Sequence, residues 1–131
     1  MAVMLVCLLI VIIMPIIAKV PIAFVMHKQG GYDNRDPRVQ QSQLTGFGAR
    51  ALAAHKNCFE ALAYFAPALV TVLAVGAVDE TSKWLAIIFV VSRFAYIMMY
   101  WADLDKLRSL FWIVGFGCSL ALILRLLLAF G

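Results

Sequence analysis

The first 18 residues contain no charged side chain, and after Lys19 the apolar run continues to Met26. A helix needs about 20 apolar residues to cross a bilayer, so this segment alone is long enough. A cleavable leader has a basic start and a shorter apolar core. Neither feature is present, and residues 3–27 are read as a membrane span. Pro15 and Pro21 are its candidate bends.

Composition extends that constraint to the whole chain. Of 131 residues, 65% are hydrophobic and 14% are charged, and mean hydropathy is +0.97. Soluble domains are about half apolar and about a quarter charged. A soluble globular fold, a disordered chain and a disulfide scaffold are therefore excluded. What remains is an all-α integral membrane protein, a four-transmembrane-helix bundle forming one domain over 1–131. The spans are expected at 3–27, 50–76, 83–102 and 107–130. A polar segment over 28–49 follows the first span. So small a bundle has little interior of its own, which points to an oligomer.

Local signals mark the breaks. Gly30-Gly31 interrupts the first helix. Asp36-Pro37 reads as an N-cap followed by proline at the first helical position, so the second helix is expected to begin in water near Pro37, with Gly46 and Gly48 loosening it. Thr81 or Ser82 is the expected cap of the third helix, after the turn at Asp79-Glu80. Asp103 to Lys106 forms the last connection.

Basic residues set the expected orientation. Lys28, Arg35, Arg38, Arg50, Lys56, Lys106 and Arg108 lie at the first and third connections, and only Lys83 lies at the second. The first and third connections are thus expected in the cytoplasm, with both termini opposite. The net charge of +4 follows from that topology and does not indicate nucleic acid. Cys7, Cys58 and Cys118 stand far apart in apolar stretches, and no Cys-x-x-Cys pair occurs. They read as small apolar packing residues, and no metal site is expected.

Charge within the spans is where chemistry is sought. A charged group at the bilayer centre costs roughly 2.5 to 3.5 kcal/mol on insertion scales. On the second helix Arg50, Asn57, Glu60 and Tyr64 are spaced by 7, 3 and 4 residues and share one face. On the third, Arg93, Tyr96 and Tyr100 do the same. Arg108 and Ser109 open the fourth helix on the same side of the membrane. Such stripes must face protein or a water-filled cavity. Arginine binds carboxylates with paired hydrogen bonds, so the convergence suits a small anionic ligand. Two alternatives stand beside that reading. Glu60 and Arg93 can pair simply to join two helices, and the tyrosines and Trp101 can form an interfacial belt. His55 reads as a hydrogen-bonded structural residue, and Arg125 as one that snorkels to the far interface or pairs with a neighbouring protomer. Gly117 and Ala121 form a small-residue stripe suited to helix contact.

The stretch Arg50-Ala-Leu-Ala-Ala-His55-Lys56-Asn57-Cys-Phe-Glu60 resembles the second-helix signature of the MAPEG family, the membrane-associated proteins of eicosanoid and glutathione metabolism. Arg93-Phe-Ala-Tyr96-Ile-Met-Met-Tyr100 and Leu107-Arg108-Ser109 match in the same order. The resemblance implies a homotrimer with glutathione as co-substrate, bound between protomers. It implies that Asn57 and Glu60 contact the peptide, that Arg50 and Lys56 add charge around its carboxylates, and that Tyr96 and Tyr100 line it. Arg93 matches an arginine buried beside the glutamate, and Arg108 matches the one credited with stabilising the thiolate. The implied activity is that of a glutathione transferase or peroxidase acting on an apolar electrophilic small molecule that enters from the bilayer, with membrane lipids as the surroundings. Two positions depart from the synthase pattern, Ala53 where an arginine is usual and Ala61 where one branch has tyrosine. Lys19 and Lys28 are both candidates for the family's basic residue on the first helix. A small transporter using Glu60 as its membrane carboxylate, and a non-catalytic lipid- or peptide-binding protein, are the competing readings.

Overall fold

The computed structural model describes all 131 residues and contains only helices. Helix α1 spans Ala2–Lys28, α2 Pro37–Ser42, α3 Gly46–Ala74, α4 Glu80–Trp101 and α5 Asp105–Phe130. Every helix except α2 is long and apolar enough to cross a membrane. The protein is a four-helix membrane bundle with one short extra helix in its polar loop. Helix α1 stays continuous through Pro15 and Pro21. Proline is tolerated within membrane helices because neighbouring groups satisfy the carbonyls it frees.

The polar loop differs from expectation. One helix from Pro37 onward was expected, but Thr45 is extended (φ −124°, ψ 168°) and separates α2 from α3. Asp36 holds the N-cap position of α2 but makes no side-chain cap bond. Asp33 is the acceptor instead, taking the backbone N–H of Arg35 at 2.8 Å and of Asp36 at 3.2 Å. Gln40 ties the loop back, accepting from Asp33 N–H and donating to the Gly31 carbonyl.

The cap of α4 is also corrected. Asp79, not Thr81 or Ser82, is the N-cap, and Ser82 is its partner in a reciprocal capping box. Asp79 Oδ1 accepts from Ser82 N–H at 2.7 Å, and Ser82 Oγ accepts from Asp79 N–H at 2.9 Å. The carboxylate satisfies a free N–H at the positive end of the helix dipole, which makes it the better cap. Asp79 then receives Arg125 from the end of α5, with Nη1 at 3.1 Å from Oδ1 and Nη2 on Oδ2. Arg125 therefore reaches the far end of the bundle and finds its partner within its own chain.

Helix α1 packs on α3 and α4, α5 packs on the same two, and α1 and α5 make no close contact. The central pair is thus α3 and α4. Phe65 and Phe89 stack across it at 3.8 Å between ring centroids, amid Met4, Val11, Leu69, Val72 and Leu122. Helices α4 and α5 close tightly at Gly115, where an added Cβ would meet Ser92 Oγ at 2.9 Å. Gly117 meets nothing within 4 Å, so Gly115 rather than Gly117 permits the approach within the protomer. The three cysteines are free and buried, as packing residues should be. His55 Nδ1 donates to the Pro15 carbonyl at 2.8 Å, a structural bond between α3 and α1.

Candidate functional site

Arg93 is the largest fully buried side chain in the protein, at 0% exposure. Position 93 lies well inside α4 and its side chain is fully buried, so its charge must be met by protein. Its Nη2 donates to Asn57 Oδ1 on α3 at 2.5 Å. Asn57 Nδ2 donates in turn to Glu60 Oε2 at 2.5 Å, one turn along α3. The chain has no direct Arg93–Glu60 ion pair within 4.0 Å. The expected helix tie is therefore relayed through an amide. Because Arg93 can only donate and a carboxylate can only accept, the two ends of the relay dictate which way the Asn57 amide points. Arg93 Nε and Nη1 remain buried without acceptors, as does the Tyr64 hydroxyl.

Toward the loop end of α4, cations and rings alternate. The Arg93 guanidinium lies 4.0 Å from the Tyr96 ring. Tyr96 meets Tyr100 edge-on at 5.6 Å. Arg108, in the first turns of α5, lies 4.5 Å from the Tyr100 ring. Spacing of three and four residues places Arg93, Tyr96 and Tyr100 on one face, and antiparallel packing brings Arg108 onto its end. Cation–π contacts of this kind contribute about 0.5 to 2 kcal/mol, the larger values when desolvated. Arg108 has no carboxylate partner, so its charge is available to a ligand.

Asn57, Tyr96, Tyr100, Arg108, Ser109, Trp112 and Ile113 line one cavity of about 350 Å3. It joins α3, α4 and α5 and combines an amide, two phenols, a hydroxyl and a guanidinium with the apolar surfaces of Trp112 and Ile113. Trp112 and Ile113 are exposed on the outer surface of the bundle. The arrangement can hold a polar anion against Arg108 and Asn57 while an apolar molecule approaches along Trp112.

The match to the MAPEG family model runs over residues 3–128, nearly the whole chain. The chain belongs to the MAPEG family. This family of membrane proteins includes glutathione transferases and related enzymes. No curated protein and no solved structure matches the chain.

The other residues singled out from the sequence of this MAPEG protein lie apart from the cavity. Glu60 reaches its edge only through Asn57 and is itself exposed. Arg50 lies two turns earlier on α3 and pairs with Asp103 at 3.5 Å. Lys56 faces a second hollow of about 410 Å3, shared with Arg38, Gln41, Ser42, Leu52, His55 and Phe59. Lys19 is half-buried on α1, and Lys28 lies over the Phe24 ring at 4.5 Å. Neither lysine reaches the Asn57 cavity within one protomer. Trp112 and Ile113 were not anticipated. Their positions, four residues after Arg108 and Ser109, are the signal that would have found them.

At the opposite end of the molecule, hydrogen bonds from Arg125 hold the Asp79 carboxyl well below the usual carboxylate range, with the Ser82 N–H adding to the effect. This pair is remote from the cavity and belongs to the architecture.

Proposed function

We propose that this protein is a glutathione-dependent transferase or peroxidase that activates the thiol for attack on an apolar electrophile. The observation that carries the reading is an unpaired guanidinium, Arg108, in one cavity with Asn57, Tyr96 and Tyr100. Family membership supports glutathione as the ligand. Glutathione offers two carboxylates, an amine and a thiol, and the cavity's donors suit an anion. A free thiol has a pKa of about 8.5, and only its thiolate is nucleophilic. A guanidinium beside the sulfur favours the anion, and each unit of lowering corresponds to about 1.4 kcal/mol. Arg108 also sits in the first turns of α5, where the helix dipole acts in the same direction.

In this reading Asn57 and Glu60 hold the peptide, Glu60 through its amine. Tyr96 and Tyr100 line it from α4. Arg50 and Lys56 supply positive charge, Lys56 from a neighbouring protomer of a homotrimer. The site opens toward the cytoplasm, and the electrophile enters from the membrane past Trp112.

The test is ultraviolet absorbance of the thiolate on adding glutathione to purified protein near neutral pH. The native protein is expected to show the thiolate band. Arg108→Ala is expected to retain binding within a few-fold and to lose the band. An undiminished band in that variant would remove Arg108 from the mechanism.

One observation favours a second reading as a proton-coupled transporter. Glu60 has no cation within ion-pair distance, as a carboxylate that must cycle its proton requires. Proton-driven flux in proteoliposomes, abolished by Glu60→Gln, would select that reading.

A further inference from the structure

The turn between α4 and α5 contains a residue that its local structure does not favour. Two helices end in the same motif. After α3, Gly76 N–H donates to Leu73 O and Ala77 N–H to Val72 O. After α4, Asp103 N–H donates to Tyr100 O and Leu104 N–H to Met99 O. Both are Schellman ends, whose left-handed residue is ordinarily glycine because a Cβ is strained there. Gly76 fits, with φ 69°. Asp103 takes the same position with φ 63° and is the one non-glycine residue in the protein at positive φ.

Nothing local compensates for that strain. The Asp103 carboxylate accepts no cap bond, and Leu104 caps α5 without its side chain. Its one partner is Arg50 Nη1 at 3.5 Å, with the two side chains 72% and 30% exposed. That contact is long, and it leaves Arg50 Nε buried without an acceptor. Trp101 Nε1, two residues before Asp103, is likewise a buried donor without a partner. Two buried donors near the turn thus lack acceptors, and the Asp103 carboxylate is loosely held.

Location gives the arrangement its meaning. Asp103 lies three residues after Tyr100 and five before Arg108, in the turn joining two of the three helices that line the cavity. Arg50 lies two turns before Asn57 on the same face of α3. The pair therefore lies next to the loop end of the cavity without lining it. We propose that Asp103 is a displaceable counter-ion for Arg50, giving way to a carboxylate of the incoming peptide, and so a specificity-determining residue. A ligand that brings its own carboxylate completes the Arg50 donor fork, while a neutral ligand leaves the Asp103 pair closed. This inference rests on the glutathione reading above.

The experiment is calorimetric titration of glutathione, and of its diethyl ester, into purified native protein and Asp103→Gly. Glycine relieves the backbone strain, so the variant is expected to fold at least as well as the native chain. An exposed ion pair changes an equilibrium by a factor of about 2 to 5. The variant should therefore bind glutathione about 2- to 5-fold more tightly at low salt. The gain should fade in high salt and be absent for the ester. Asp103→Asn, neutral and tolerant of positive φ, should reproduce it. Glutathione bound equally or more weakly by both variants overturns the counter-ion role and leaves the site reading standing. Absence of saturable binding in the native protein and both variants overturns the site reading and this inference together.

Discussion

Asn57 is held between a cation and a carboxylate, and that position makes its removal costlier than removal of the cation. Arg93 has one hydrogen-bond partner and two buried N–H groups without one. A buried ion replaced by an apolar residue of similar volume is often neutral or stabilising, whereas stranding it costs about 3 to 5 kcal/mol. Asn57→Ala removes the one hydrogen-bond acceptor of Arg93 and leaves it only the Tyr96 ring. Arg93→Met removes the charge and leaves an amide that can still reach Glu60. Thermal unfolding in detergent is expected to rank Asn57→Ala well below Arg93→Met, with the double variant recovering most of the loss. The reverse ranking would mean that Arg93 is satisfied by groups other than Asn57. Of this cluster, the sequence made the shared faces legible, because spacing alone determines which positions align. The route from Arg93 through the Asn57 amide to Glu60 depends on side-chain distances that spacing does not determine.

Among the elements, the tie between the start of α4 and the end of α5 carries the sharpest pH signature. Asp79 caps α4 and receives Arg125, and its carboxyl titrates below the ordinary range. An unfolded aspartate titrates near 3.9. A depressed folded value gives stability that is fully present above the unfolded value and lost as pH falls through the folded one. The difference in unfolding midpoint between native protein and Asp79→Asn should therefore be constant from about pH 8 to 5 and shrink only below about pH 4. A difference that already changes between pH 7 and 5 would assign the effect to another group. The cap itself was misread from sequence because Asp79, Thr81 and Ser82 are all competent cap residues. The choice rests on where α4 begins, and Arg125 helps hold that carboxylate from another helix. The break between α2 and α3 was read only as a loosening at Gly46 and Gly48, whereas Gly46, at φ 54°, follows an extended Thr45 and starts a separate helix.

At the scale of the molecule, the bundle leaves most of its apolar surface outside. Only 22% of the most apolar window of α5, and 33% of that of α1, is buried within the chain. Lipid can cover the apolar positions. It cannot cheaply cover Glu60 or Lys56, both exposed on α3, because charges on membrane helices face protein or water. A protein partner on the α3 face answers this need, and the proposed homotrimer supplies one. Light scattering with the detergent contribution subtracted is expected to give about three times the 14.5 kDa protomer mass. Lys56→Leu, which removes one such charge, should leave the protomer folded and alter the trimer–monomer balance. A monomer at all protein concentrations would return Lys56 to the solvent and remove it from the site.

The sequence by itself determined that four helices cross a membrane, their order, and the faces that carry polar groups. These follow from hydropathy and helical period, which are local properties. Family membership was legible for the same reason, because the three motifs keep their order along the chain. Tertiary structure alone decided which groups meet. It put Asn57 between Arg93 and Glu60, brought Arg108 onto the end of the Arg93–Tyr96–Tyr100 ladder, set Trp112 beside it, and turned Lys56 toward a different hollow. It also placed an aspartate in a left-handed turn within reach of Arg50. Contacts between residues 36 to 53 positions apart depend on how helices rotate and slide against one another. Close packing at Gly115 and at the Phe65–Phe89 stack determines that rotation, and no single helix encodes it.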